Sequence, residues 1–113
     1  MQNILIVDVM QTDRDILGRI VTSSGHQPIY ATDGAQALGA AKTARPALIL
    51  LDVVMPGQDG YKTCRTLKAD PQTAKIPVVL VTSKGGGSRD ADDQVAKPYT
   101  REAIEAVIAR YAQ

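Results

Sequence analysis

Four polar residues close apolar runs in the order acid, acid, hydroxyl, ammonium. Asp8 follows Ile4-Leu5-Ile6-Val7, Asp52 follows Ala47 to Leu51, Thr82 follows Pro77 to Val81, and Lys97 follows Val95-Ala96. If the runs are neighbouring parallel strands, all four residues reach one edge of a sheet, the edge where open α/β sheets place their chemistry. Two carboxylates close together repel and call for a cation, and oxygen-only ligands with room for water suit Mg2+. A hydroxyl and an ammonium nearby suit phosphoryl oxygens. The set fits a carboxylate, Asp52, that attacks a phosphorus centre while Mg2+ and Lys97 neutralise the charge that gathers there. Taken singly, each residue has a plainer reading. Asp8 can be a helix cap, Thr82 a strand-end hydroxyl, Lys97 a solvated lysine, and Asp52 an ordinary loop acid. Four matching strand ends in one order are harder to explain by chance.

The positioning elements follow from the pattern. Ile4 to Val7 reads as a central strand. Thr12 with Asp15 three residues on is a capping-box pattern opening a helix, along which Ile16, Leu17, Ile20 and Val21 recur and which Gly25 stops. Pro28 to Ala31 is a weaker strand. Asp33-Gly34 leads into an Ala-rich helix over about 35–44, ended by Pro46. After the strand 47–51, Asp59 can cap a helix over about 60–68. Pro77 starts a strand where no ladder bond is needed from it. Val95 to Lys97 is a short last strand, and Thr100 caps a final helix with Ile104, Val107, Ile108 and Tyr111 on one stripe. Repeated crossovers of this order predict a doubly wound, five-stranded parallel α/β sheet in a single domain, 1–113.

One crossover breaks the pattern. Gly85-Gly86-Gly87-Ser88 lies where a helix is due, and each glycine costs about 1 kcal/mol relative to Ala in a helix. The ten residues from Ser83 to Asp92 can still span about 33 Å at ~3.3 Å each. The expectation is a missing fourth crossover helix and an apolar face left bare beside Val78 to Val81 and Val95.

Composition narrows the partners. The 113 residues carry a net charge of +1, which gives no electrostatic reason to expect nucleic acid or a lipid surface. With no Phe or Trp, the core must be built of Val, Ile, Leu and Ala, which suits strands buried on both faces. Cys64 is the only cysteine, so no internal disulfide can form, and a buried inert thiol is the better reading of it. No apolar run approaches the ~20 residues of a membrane span, and no signal peptide opens the chain; the cytoplasm is the expected location.

The chain resembles a CheY-like receiver domain of two-component signalling, on Ile4-Leu5-Ile6-Val7-Asp8, Leu51-Asp52-Val53-Val54-Met55-Pro56-Gly57 with Asp59-Gly60, Pro77 to Thr82, and Lys97-Pro98. Within the family it is most similar to small stand-alone receivers of chemotaxis-like systems, including those serving type IV pili and twitching motility. The resemblance implies a flavodoxin/CheY-like fold and a signalling domain rather than an enzyme, with at most self-catalysed phosphoryl transfer and autodephosphorylation. It implies that Asp52 is the phosphoacceptor, supplied by a histidine kinase, and that the output is a downstream protein target. Asp8, Asp52 and the Val54 backbone carbonyl would hold Mg2+. Thr82 would bind the phosphoryl group and carry the switch, Lys97 would pair with its oxygens, and the Lys97-Pro98 bond would be cis.

Three departures stand against that pattern. The family usually has two adjacent acids after the first strand, and here the second is Val9. One unit charge at ~4 Å is worth about 1 to 4 kcal/mol, so Mg2+ affinity should fall. Gln94 stands where the family often has an aromatic residue that rotates with the threonine. The third is the glycine run, read either as natural erosion or as an engineered replacement. The bare face it would leave is a candidate homodimer contact. The alternative to a phosphoaccepting receiver is a degenerate or engineered receiver that binds partners without phosphorylation. A phosphatase using Asp52 would want a general acid at position 54, which is Val. A nucleotide-binding domain would want a Gly-x-Gly-x-x-Gly run or a Walker lysine, and neither is present.

Overall fold

The computed structural model describes residues 2–55, 58–83 and 90–112, with the side chains of residues 54, 55, 58 and 59 left aside. Its elements are β1 (Asn3–Val7), α1 (Gln11–Ser23), β2 (Gln27–Ala31), α2 (Gly34–Ala44), β3 (Leu48–Leu51), β4 (Val54–Met55), β5 (Gln58–Asp59), α3 (Gly60–Ala69), β6 (Val78–Thr82), β7 (Asp93–Ala96) and α4 (Arg101–Tyr111). Five strands form one parallel sheet in the order β2-β1-β3-β6-β7, the doubly wound order of flavodoxin-like folds. β4 and β5 make a two-residue antiparallel ladder between Asp52 and α3.

The sheet divides the core in two. Ile4, Ile6, Leu50, Val79 and Val81 pack with Leu17, Val21, Ile104 and Ile108 of α1 and α4. Leu5, Val7, Ile49, Leu51, Val78 and Leu80 pack with Ala37, Ala41, Cys64 and Leu67 of α2 and α3. The alternation along each strand is the pleat, and burial on both faces is why β1, β3 and β6 read as unbroken apolar runs.

Local rules set the boundaries. The Asp33 side chain accepts a hydrogen bond from the Gln36 N–H at 2.7 Å, and Thr100 Oγ1 accepts one from the Ala103 N–H at 3.1 Å, so both act as helix caps. Gly25 takes the positive φ of 87° that ends α1. Thr12 does not cap α1 as its pattern predicts. The helix starts at Gln11 after Met10, which makes no side-chain cap, because the preceding turn is fastened otherwise. Asp8 Oδ1 accepts from the Met10 N–H at 2.9 Å, and Arg14 Nη1 donates to the Asp8 and Val9 carbonyls at 2.8 and 3.0 Å. The last strand begins at Asp93, two residues before the predicted Val95, since Asp93 and Gln94 still pair with Val79 and Leu80.

Among the described residues no helix lies between β6 and β7; the glycine run itself lies outside them, as do Pro56 and Gly57 and the Asp59 side chain expected to cap α3. The predicted bare face is not found. Val78 to Val81 are all buried and Val95 is 8% exposed. Part of the cover comes from the returning chain. Ala91 packs on the α3 side of the core, the Asp92 N–H donates to the Val78 carbonyl at 2.8 Å, and the Asp92 carboxylate accepts from the Val78 N–H and from Lys68 Nζ, both at 2.8 Å. The segment is thereby fixed against the start of β6 and the end of α3, and Cys64 and Leu67 lie over Val78 and Leu80.

Candidate functional site

One ladder hydrogen bond places each of three site residues just past its strand. The Asp8 N–H donates to the Ala31 carbonyl at 3.1 Å, the Asp52 N–H to the Val7 carbonyl at 2.9 Å, and the Lys97 N–H to the Thr82 carbonyl at 2.9 Å. Thr82 is the last residue of β6, in register with Ala96. The four residues singled out by strand-end position therefore share one edge of the sheet. Asp8 is 1%, Asp52 5% and Thr82 0% exposed. The Lys97-Pro98 bond is cis.

Lys97 Nζ stands among three carboxylates. It lies 3.2 Å from Asp13 Oδ2, 3.4 Å from Asp8 Oδ2 and 3.7 Å from Asp52 Oδ2. Burial pulls the Lys97 ammonium toward deprotonation, but the three carboxylates outweigh it and hold its pKa above the ordinary lysine value. Asp8 is displaced upward. Burial is the largest cause, and the neighbouring Asp52 and Asp13 charges add to it, against the Met10 N–H and Lys97. The site is thus acidic and undersupplied with positive charge.

The donor chemistry fits a hard dication. Two carboxylates, both near the Lys97 ammonium and almost closed to solvent, are the kind of set Mg2+ uses while keeping several waters. Among the described residues no group of three or more His, Cys, Asp and Glu side chains is arranged to hold a metal. Val9, 36% exposed, adds no charge beside Asp8. Val54 opens β4 two residues beyond Asp52.

Two residues contribute in ways that the sequence pattern does not assign: Asp13, and Gly60, which stands in the Asp59-Gly60 motif without a stated role. Asp13, in the first turn of α1, brings a third carboxylate to Lys97; its only signal was an acid one helical turn after the loop that Asp8 begins. Gly60 starts α3 with its N–H donating to the Val53 carbonyl at 3.2 Å. A Cβ there would lie 2.2 Å from Val53 Cα and 2.7 Å from the Asp52 carbonyl oxygen, so only glycine lets α3 begin against the backbone that carries Asp52. Beside the carboxylates an open cleft of about 500 Å³ is lined by Asp13, Ile16, Ser83, Lys97, Pro98 and Tyr99.

The sequence matches the response regulator receiver domain over residues 4–109. It is 35% identical to protein PilH of Pseudomonas aeruginosa across 92% of each chain. It is 42% identical to the response regulator PleD of Caulobacter vibrioides over 84% of its own length, and there it spans only 22% of the relative. The fold superposes with a TM-score of 0.88, at 26% identity over 97% of this chain and 96% of the other, on the receiver domain of a Pseudomonas aeruginosa sensor histidine kinase whose structure holds a magnesium ion in the active site cleft.

Proposed function

The chain belongs to the response regulator receiver domain family, and we propose that it accepts a phosphoryl group on Asp52 from a partner histidine kinase and passes the signal on by contact with a downstream protein. The observation that carries this reading is the position of Asp52: almost closed to solvent at a strand end, with the Lys97 ammonium 3.7 Å away and Asp8 on the same ammonium. In the transfer a carboxylate oxygen of Asp52 forms the bond to phosphorus as the bond from phosphorus to the donor's histidine nitrogen breaks, and the imidazole leaves with the electron pair. Lys97 pairs with the phosphoryl oxygens, and the Thr82 hydroxyl hydrogen-bonds them and reports the change to the β6–β7 edge. Asp8, Asp52 and the Val54 carbonyl would hold Mg2+, which when bound supplies positive charge against the transferring oxygens. With Val9 in place of a second acid, we expect that ion to be held more weakly than by an acidic pair.

Exposed Val9, Met10 and Ile16 stand beside the site and suit an apolar contact with the kinase. We take residues 1–113 as one receiver unit, working in the cytoplasm without nucleic acid or membrane. The near-neutral charge supports this, and among the described residues no helix is long and apolar enough to cross a membrane.

Phosphotransfer from a radiolabelled phosphohistidine donor in Mg2+ tests the reading. The wild-type chain should take label and Asp52→Asn none; equal labelling of the two would reject Asp52. Val9 favours a second reading, a receiver that binds partners without phosphorylation. A partner complex whose affinity is unchanged by Asp52→Asn and by phosphodonor would establish it.

A further inference from the structure

Asp13 is one carboxylate more than the proposed reaction uses. Its place in the first turn of α1 has an ordinary explanation, since acids there complement the helix dipole. The side chain is engaged elsewhere, however. Asp13 Oδ2 makes the shortest of the three contacts to Lys97 Nζ, 3.2 Å against 3.4 Å for Asp8 and 3.7 Å for Asp52, across 84 residues of sequence. Asp8 cannot yield much, being 1% exposed and fastened by the Met10 N–H. The Asp13 side chain is 31% exposed and rides on the start of a helix at the rim of the cleft. Three carboxylates and one ammonium leave this cluster with a formal charge of −2.

We propose that Asp13 is a positioning residue that holds the Lys97 ammonium on the α1 side of the site in the unphosphorylated protein, and that it competes with the phosphoryl group for that ammonium. The inference rests on Asp52 as phosphoacceptor. Lys97 meets Asp52 at the longest of its three contacts, 3.7 Å, so an ammonium drawn toward oxygens carried on Asp52 loosens its hold on Asp13. Asp13 then acts as a brake. It stabilises the resting arrangement and takes away part of what Lys97 contributes to the phosphorylated one.

Two readouts on the full chain test this, with Asp13→Asn and the conservative Asp13→Glu compared with wild type. The first is the Lys97 side-chain ammonium signal in 15N-lysine NMR without phosphodonor. It should be protected from exchange in wild type and Asp13→Glu and broadened away in Asp13→Asn. The second is affinity for beryllofluoride, a phosphoryl mimic, followed by 19F NMR at Mg2+ concentrations that saturate each variant. Release of a partly exposed ion pair predicts roughly two- to fivefold tighter binding by Asp13→Asn. An unchanged Lys97 signal in Asp13→Asn overturns the proposal, and so does a lost signal without a gain in affinity. If beryllofluoride binds none of the three proteins, Asp52 as phosphoacceptor fails with it, and the Lys97 signal alone then decides whether Asp13 holds the ammonium.

Discussion

Asp8 is buried beside two other carboxylates, and the Met10 N–H and Lys97 do not fully compensate. Its folded pKa is raised, so the native state binds its proton more readily than the unfolded chain does. The resulting destabilisation is fully present above the folded pKa and is relieved as pH falls through it toward the ordinary value of 3.8. Asp8→Asn should therefore raise the melting temperature at neutral pH, with the gain shrinking on acidification, while Mg2+ affinity drops roughly tenfold or more. Calorimetry across pH, paired with Mg2+ titration followed by NMR, checks both; a lower melting temperature at pH 7 would contradict the account. Stability given up at a functional site is a familiar exchange. Asp8, Asp52, Thr82 and Lys97 were legible in the sequence because each closes an apolar run, and strand ends of a parallel sheet share an edge. Asp13 was not, because a helix position becomes a site position only once the β1–α1 turn, fastened by Arg14, sets the helix start. Cys64 matched its plain reading. It is buried, and burial pushes its thiol up to about 11.

At the scale of elements the critical join is between β3 and α3. Gly60 abuts the Asp52 and Val53 backbone with no room for a Cβ. Gly60→Ala must displace either the start of α3 or the Asp52 loop, and overpacking of this kind costs about 1–3 kcal/mol. Urea unfolding should show that loss, and phosphoacceptance should fall with it; a variant of wild-type stability and activity would show that the loop yields freely. The Asp59-Gly60 pair was visible in the sequence as a motif, but the steric reason lies in contacts that no local pattern encodes. The α1 cap was misread for a similar cause. Thr12 and Asp15 have the right spacing, but the Asp8 turn and the Arg14 clamp set the N-cap at Met10, so the helix starts two residues earlier than that box would place it. Caps without such competition, at Asp33 and Thr100, follow their local chemistry.

For the whole molecule, the doubly wound parallel fold class was readable from alternating strand and helix signals, because parallel crossovers leave few topologies; the strand order β2-β1-β3-β6-β7 was not, since alternation alone does not say which strands are neighbours. Nor was the consequence of the glycine run. A missing helix suggests a bare sheet face and a homodimer across it, yet Val78 to Val81 are buried, with the Ala91–Asp92 return and α3 against them. The apolar motive for that dimer disappears, and light scattering at micromolar concentration should find a monomer; a dimer would show that another surface drives association. The exposed large apolar side chains are Val9, Met10, Ile16 and Tyr30 among the described residues, and the first three lie by the site, where a signalling partner would meet the chain. The central claim is that Asp52 receives the phosphoryl group, and intact-protein mass spectrometry after incubation with acetyl phosphate and Mg2+ tests it most directly. The account predicts one added phosphoryl group on the wild-type chain and none on Asp52→Asn; no addition to wild type even at high Mg2+, or equal addition to both, would contradict it.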